Sequence, residues 1–119
     1  MPAANKPLII EQGATYRKQF TWKGPAPDKI PHDLTDYVAR MHVRKNVKSN
    51  DILLDLTNVN GGIILGGDAG TIVLYISATG TKTLDWERAV YDLELEDTSG
   101  EVYRLLKGEV TVDLQVTRE

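Results

Sequence analysis

Apolar and polar residues alternate with a period of two along most of this chain, and no stretch holds helical spacing long enough to build a long amphipathic helix. The clearest case is Arg88 to Glu96, where Ala89, Tyr91, Leu93 and Leu95 share one face and Asp92, Glu94 and Glu96 the other. Thr71 to Ser77 alternates likewise, with Ile72, Leu74 and Ile76 inward. From Tyr37 to Arg44 the apolar face holds Tyr37, Ala39, Met41 and Val43, and the opposite face holds Val38, Arg40, His42 and Arg44. Earlier, Leu8 to Gln12 is a short apolar run ended by Gly13, and Ala14 to Trp22 sets Tyr16, Phe20 and Trp22 on one face with Lys18. Weaker strand signals cover Ile52 to Thr57, the very short Ile63-Ile64-Leu65, and Val102 to Leu106. After Gly108 a last strand carries Val110, Val112, Leu114 and Val116 inward.

Turn chemistry separates these segments. Asn60-Gly61-Gly62, the glycine-rich stretch 66–70 and Thr98-Ser99-Gly100 are turn signals. Gly24-Pro25-Ala26-Pro27-Asp28 opens a loop running to about Asp33, because proline donates no ladder hydrogen bond. The Thr-rich segment from Ala78 to Leu84 suits one helical turn. Roughly eight or nine short strands at such spacing predict an all-β fold, an antiparallel two-layer β-sandwich of immunoglobulin-like type. Its core is predicted to hold Met41, Ile72, Leu74, Ile76, Tyr91, Leu93, Leu95, Val112 and Leu114. The segment Glu87-Arg88-Ala89-Val90-Tyr91 resembles the acid-x-small-x-Tyr pattern of a tyrosine corner, whose hydroxyl bonds to backbone a few residues upstream. The alternative is that Tyr91 is simply a core aromatic. Residues 1–7 read as a flexible N-terminal arm whose removal leaves the melting temperature nearly unchanged, and 8–119 as one sandwich domain.

At 119 residues the chain has the size of one domain. Its 17 acids outnumber 14 scattered bases, which argues against nucleic acid as the main partner. The sequence contains no cysteine, so disulfides, thiolate metal sites and a cysteine nucleophile are excluded. Met1 to Pro7 lacks the apolar core of a signal peptide, and no window is apolar enough for a membrane span, so no membrane partner is expected.

Candidate chemistry is sparse. His32 lies in the Pro-rich loop and His42 on the face shared with Arg40 and Arg44, without the spacing of a zinc site. Asp92, Glu94 and Glu96 alternate on one strand at about 7 Å, which reads as a solvated face rather than a glycosidase pair. Asp68 lacks a calcium-loop pattern around it, and no Lys-Ser/Thr follows Gly66, Gly67 and Gly70 as in a phosphate loop. No catalytic residue, cofactor or metal is expected. The basic row Arg40, His42, Arg44 either pairs with Asp92-Glu94-Glu96 across neighbouring strands or forms a docking face for an acidic partner. Trp86 is a candidate interface residue, as tryptophan is enriched at hot spots. Leu8, Ile9 and Ile10 either add to a neighbour's sheet or form the domain's own first strand.

Taken together, LIIEQGATYRKQFTW, DLTDYVARMHVR, NGGIILGGDAGTIVLYIS and YDLELEDTSGEVYRLLKGEVTV resemble a group of small virion structural proteins of tailed phages and prophages. More loosely they resemble the N-terminal domain of phage baseplate upper proteins. The resemblance spans Leu8 to Val116, with Asp36 where the family's DLTG has glycine. It implies a non-enzymatic β-sandwich that binds other phage structural proteins in the tail, baseplate or fibre-attachment region, in several copies. Such a protein is assembled in the host cytoplasm and resides in the virion. The alternatives are a capsid decoration protein, with the same fold at another address, and a carbohydrate-binding module, which needs exposed aromatics.

Overall fold

Among the residues described by the computed structural model, 3–24 and 27–118, strand alternation builds two sheets. The elements are β1 (Ala4–Asn5), β2 (Leu8–Glu11), β3 (Tyr16–Thr21), β4 (Val38–Arg44), β5 (Leu54–Thr57), β6 (Ile63–Leu65), β7 (Thr71–Ile76), α1 (Ala78–Lys82), β8 (Arg88–Glu96) and β9 (Val102–Asp113). The large sheet runs β1-β9-β8-β4-β5, with β2 also on β9, and the small sheet runs β3-β7-β6. This is the all-β, sandwich-like division that the alternation predicts, with strands 3, 6 and 7 in one sheet and 4, 5, 8 and 9 in the other. Most pairs are antiparallel, but β1 and β2 run parallel to β9.

One core lies between the sheets. Ala39, Met41 and Val43 of β4 meet Tyr91, Leu93 and Leu95 of β8 in register, and Ile72, Leu74 and Ile76 of β7 face them from the small sheet. Leu34, placed near the end of the predicted loop, is also buried, and its amide donates to Gly67 O at 2.9 Å. Just after it Asp36 adopts φ 66°, a left-handed conformation that glycine takes freely and that Asp tolerates better than most residues. The Thr-rich segment forms the short α1, capped by Ser77, whose Oγ accepts from the Gly80 amide at 3.0 Å. Thr81 is fully buried: its hydroxyl donates to Ala14 O at 2.8 Å and accepts from the Gly13 amide at 3.0 Å, tying α1 to the β2–β3 turn.

Three expectations are corrected. Gly108 does not separate two strands, because β9 is continuous through it. The glycine is needed for close approach instead, since a Cβ there would come within 2.8 Å of Lys6 O. Second, Leu114 and Val116 are not core residues and are 42% and 90% exposed. β9 ends at Asp113, where its neighbour β2 has also ended, and the Gln12 side chain takes over by accepting from the Gln115 amide at 2.8 Å. Third, residues 4–7 do not project as a free arm. Ala4 and Asn5 pair with Leu106 and Lys107, the Lys6 amide donates to Lys107 O at 2.9 Å, and the Tyr91 hydroxyl donates to Lys6 O at 2.6 Å. That last bond also excludes a tyrosine corner, because the acceptor lies on the N-terminal segment and not just upstream of Tyr91. Met1, Pro2, Pro25 and Ala26, which the sequence assigns to arm and loop, lie outside the described residues.

Candidate functional site

The outward face of β4, β8 and β9 is a lattice of charges created by the strand register. Arg40 lies opposite Glu94, and its guanidinium reaches Glu94 at 3.0 Å through Nε and Glu96 at 3.1 Å through Nη1. His42 lies between Asp55 on β5 and Asp92 on β8, and its Nε2 is 3.6 Å from Asp55 Oδ1. Asp92 turns instead to Arg104 on β9, at 3.5 Å. Arg40 therefore takes the cross-strand pairing that the alternating signs allowed. Each such half-exposed pair contributes no more than about 1 kcal/mol.

Arg44 departs from that pattern. It lies opposite Val90, so no carboxylate faces it in the register. Its Nη1 donates to Ser49 O at 3.0 Å, and its Nη2 lies 3.3 Å from His42 Nδ1. A guanidinium only donates, so a hydrogen bond in that contact runs from Arg44 to the imidazole. Arg44 and His42 form one wall of a groove of about 690 Å³, with Arg104 and Lys107 on the β9 side and Pro7 from the docked N-terminal segment. Val90 also lines it, while Asp92 and Glu109 add negative charge. Among the described residues neither Arg44 nor Lys107 has a carboxylate ion-pair partner. The sequence placed Arg44 on this face but not Lys107, which the β8–β9 pairing sets opposite Asp92, or Pro7, which arrives with β1 and β2 along β9.

The other sequence candidates are dispersed. Leu8 and Ile10 are buried in the chain's own core, so they are not contacts for a neighbour; Ile9, between them, is 68% exposed. β2 is thus the first strand of this sandwich, held by parallel pairing with β9. Trp86 is half-buried and packs on the core.

Sequence reasoning missed an aromatic cluster at the end of the sandwich. The Trp22 ring stacks on His32 with centroids 4.1 Å apart, and Tyr37 and Tyr103 pack around it at 6.4 and 5.3 Å. Loop and strand ends bring these residues together from distant positions, so no local pattern announced them. His32 stacks on the Trp22 ring, while Tyr37 meets it edge-on and Tyr103 at a tilt. The Tyr103 hydroxyl donates to Glu101 at 2.6 Å, and Asp97 in the same hairpin accepts from Ser99 and from the Glu101 amide. The Ser99 hydroxyl, with the two amides and Tyr103 behind it, holds the Asp97 carboxyl below its ordinary value of 3.8. Because the folded-state value is depressed, the turn's stabilisation is complete above the unfolded value and is lost as pH falls through the folded one. An NMR titration is expected to show the Ser99 and Glu101 amides shifting only below that ordinary carboxylate range, and a midpoint at or above 3.8 would contradict the turn geometry.

Among the described residues no group of three or more His, Asp or Glu is arranged to hold a metal ion, and no helix is long and apolar enough to cross a membrane. Comparison with protein-family models and with curated protein sequences finds no match to this chain.

Proposed function

We propose that this chain is a non-enzymatic structural protein of a tailed-phage virion, present in several copies, that binds other virion proteins in the tail, baseplate or fibre-attachment region. The sequence resemblance supplies the setting. The observation that carries the binding role is the groove beside Arg44 and Lys107, where two cationic side chains have no carboxylate ion-pair partner among the described residues and Val90 adds apolar surface. A surface whose charges were all paired internally would offer a partner little electrostatic gain. This one suits an extended segment of another virion protein that brings carboxylates to Arg44 and Lys107 and an apolar side chain to Val90.

Mass spectrometry of particles from the phage or prophage that encodes the chain is the direct test, and absence of the chain from purified particles would sink the proposal. Copy number separates a tail address from capsid decoration, since a decoration protein follows the number of capsid subunits. The double variant Arg44→Ala/Lys107→Ala is expected to remain folded, losing about 1 kcal/mol with the Arg44 hydrogen bond to Ser49 O, and to reduce incorporation into particles. Incorporation at wild-type copy number would remove the groove from the assembly contacts.

A further inference from the structure

Among the described residues the sandwich leaves four sheet edges, and three of them are defended. At β5, Asn60 Oδ1 accepts from the Thr57 amide and Nδ2 donates to Asp55 O, both at 2.9 Å, so a side chain already occupies the edge. β6 is only three residues long. The β1–β2 edge is interrupted at Pro7, which has no amide hydrogen to offer. The fourth edge, β3, is six residues long, pairs with β7 in unbroken register, and contains neither proline nor glycine. Such an edge is a template for another strand.

Its free groups can be assigned. The Trp22 amide donates to Gly70 O on the β7 side. By the two-residue alternation of antiparallel pairing, Phe20, Lys18 and Tyr16 also face β7, and the backbone groups of Arg17, Gln19 and Thr21 point outward. Among the described residues no strand lies on that side, and Arg17, Lys18, Gln19 and Thr21 are all exposed.

We propose that β3 pairs antiparallel with β3 of a second copy about a two-fold axis at Gln19. The two three-stranded sheets would then join into one continuous sheet across an isologous dimer. The axis follows from charge. Centred on Arg17 or on Lys18, the pairing would oppose that cation to its own copy. Centred on Thr21, it would run out of strand. Centred on Phe20, it would pair only residues 19–21, whereas centred on Gln19 it sets Arg17 opposite Thr21 of the partner subunit and Lys18 opposite Phe20 of the partner subunit, and pairs residues 17–21 without a like-charge pair. Lys18 Nζ already lies 6.0 Å from the Phe20 ring of its own chain, so the partner's ring offers it a second aromatic face.

The chain has no cysteine, so a single introduced thiol can link only to its copy. In this register the two Gln19 Cα atoms stand about 5.5 Å apart, within disulfide range. The full-length Gln19→Cys variant is expected to form a disulfide dimer under a mild oxidant. Arg17→Cys and Thr21→Cys alone, roughly 13 Å from their copies by strand rise, should stay unlinked, but should link to each other when mixed. Sedimentation equilibrium of the wild-type chain should show a dimer, and Gln19→Lys, which opposes two cations on the axis, should weaken it by more than about tenfold. Circular dichroism checks that each variant is folded. A wild-type chain that stays monomeric, or a dimer in which Gln19→Cys links no faster than Arg17→Cys, overturns the proposal. So does a monomer whose β3 amides shift in NMR only on adding an acidic strand peptide.

Discussion

Leu93→Ala is expected to destabilise the protein by about 2–5 kcal/mol through lost transfer energy and an unfilled cavity. Leu93 is fully buried at the centre of the large sheet, opposite Met41 on β4 and Leu106 on β9. Met41 is held in the unbroken β4–β8 ladder, so on that side the site has little freedom to collapse around a smaller side chain, while Leu106 sits beside the register shift of the β8–β9 ladder. Since natural domains are stable by only about 5–15 kcal/mol, the variant should unfold at a much lower urea concentration with little change in the slope of the transition. Ile9→Ala, on the exposed face of β2, serves as the control and should shift stability by about 0.5 kcal/mol or less. A Leu93→Ala chain as stable as this control would contradict the packing between the two sheets.

Deleting residues 1–7 is expected to cost about 1–3 kcal/mol, because it strands a buried hydroxyl. Tyr91 is only 4% exposed and its hydroxyl donates a hydrogen bond to Lys6 O. Burial, and secondarily Tyr16, raises its phenol above the ordinary value, so the hydroxyl remains a donor. The deletion also removes the Lys6 amide bond to Lys107 O and the short β1 pairing. A double-mutant cycle isolates the hydroxyl's share: Tyr91→Phe should be costly in the full chain and nearly neutral in the truncated one. Equal melting temperatures for the full and truncated chains would instead restore the free arm that composition suggested. The groove gives this prediction a functional side, since Pro7 leaves its wall with the deletion.

Strand identity was legible wherever one face is buried and the other is wet, because burial then enforces a two-residue period. That holds for β4, β7 and β8, whose inward residues are those the alternation named. Legibility failed where a residue's role depends on a partner distant in sequence. Gly108 looked like punctuation because glycine so often is, and only the Lys6 backbone running beside it explains the residue. Val116 continued the apolar alternation, yet no neighbouring strand extends far enough to give it a buried face.

For the candidate site the division is similar. The sequence alone determined that Arg40, His42 and Arg44 share a face and that Glu94 and Glu96 share another, since side-chain direction in a strand depends only on parity. It also determined that no thiol chemistry is possible. Tertiary structure decided which of those charges neutralise each other, because cross-strand register puts Glu94 opposite Arg40 but Val90 opposite Arg44. It also decided that Lys107 and Pro7 complete a groove, and that β3 rather than β2 keeps the long open edge. Register and edge status depend on strands far apart in the chain, and a two-residue period cannot specify either.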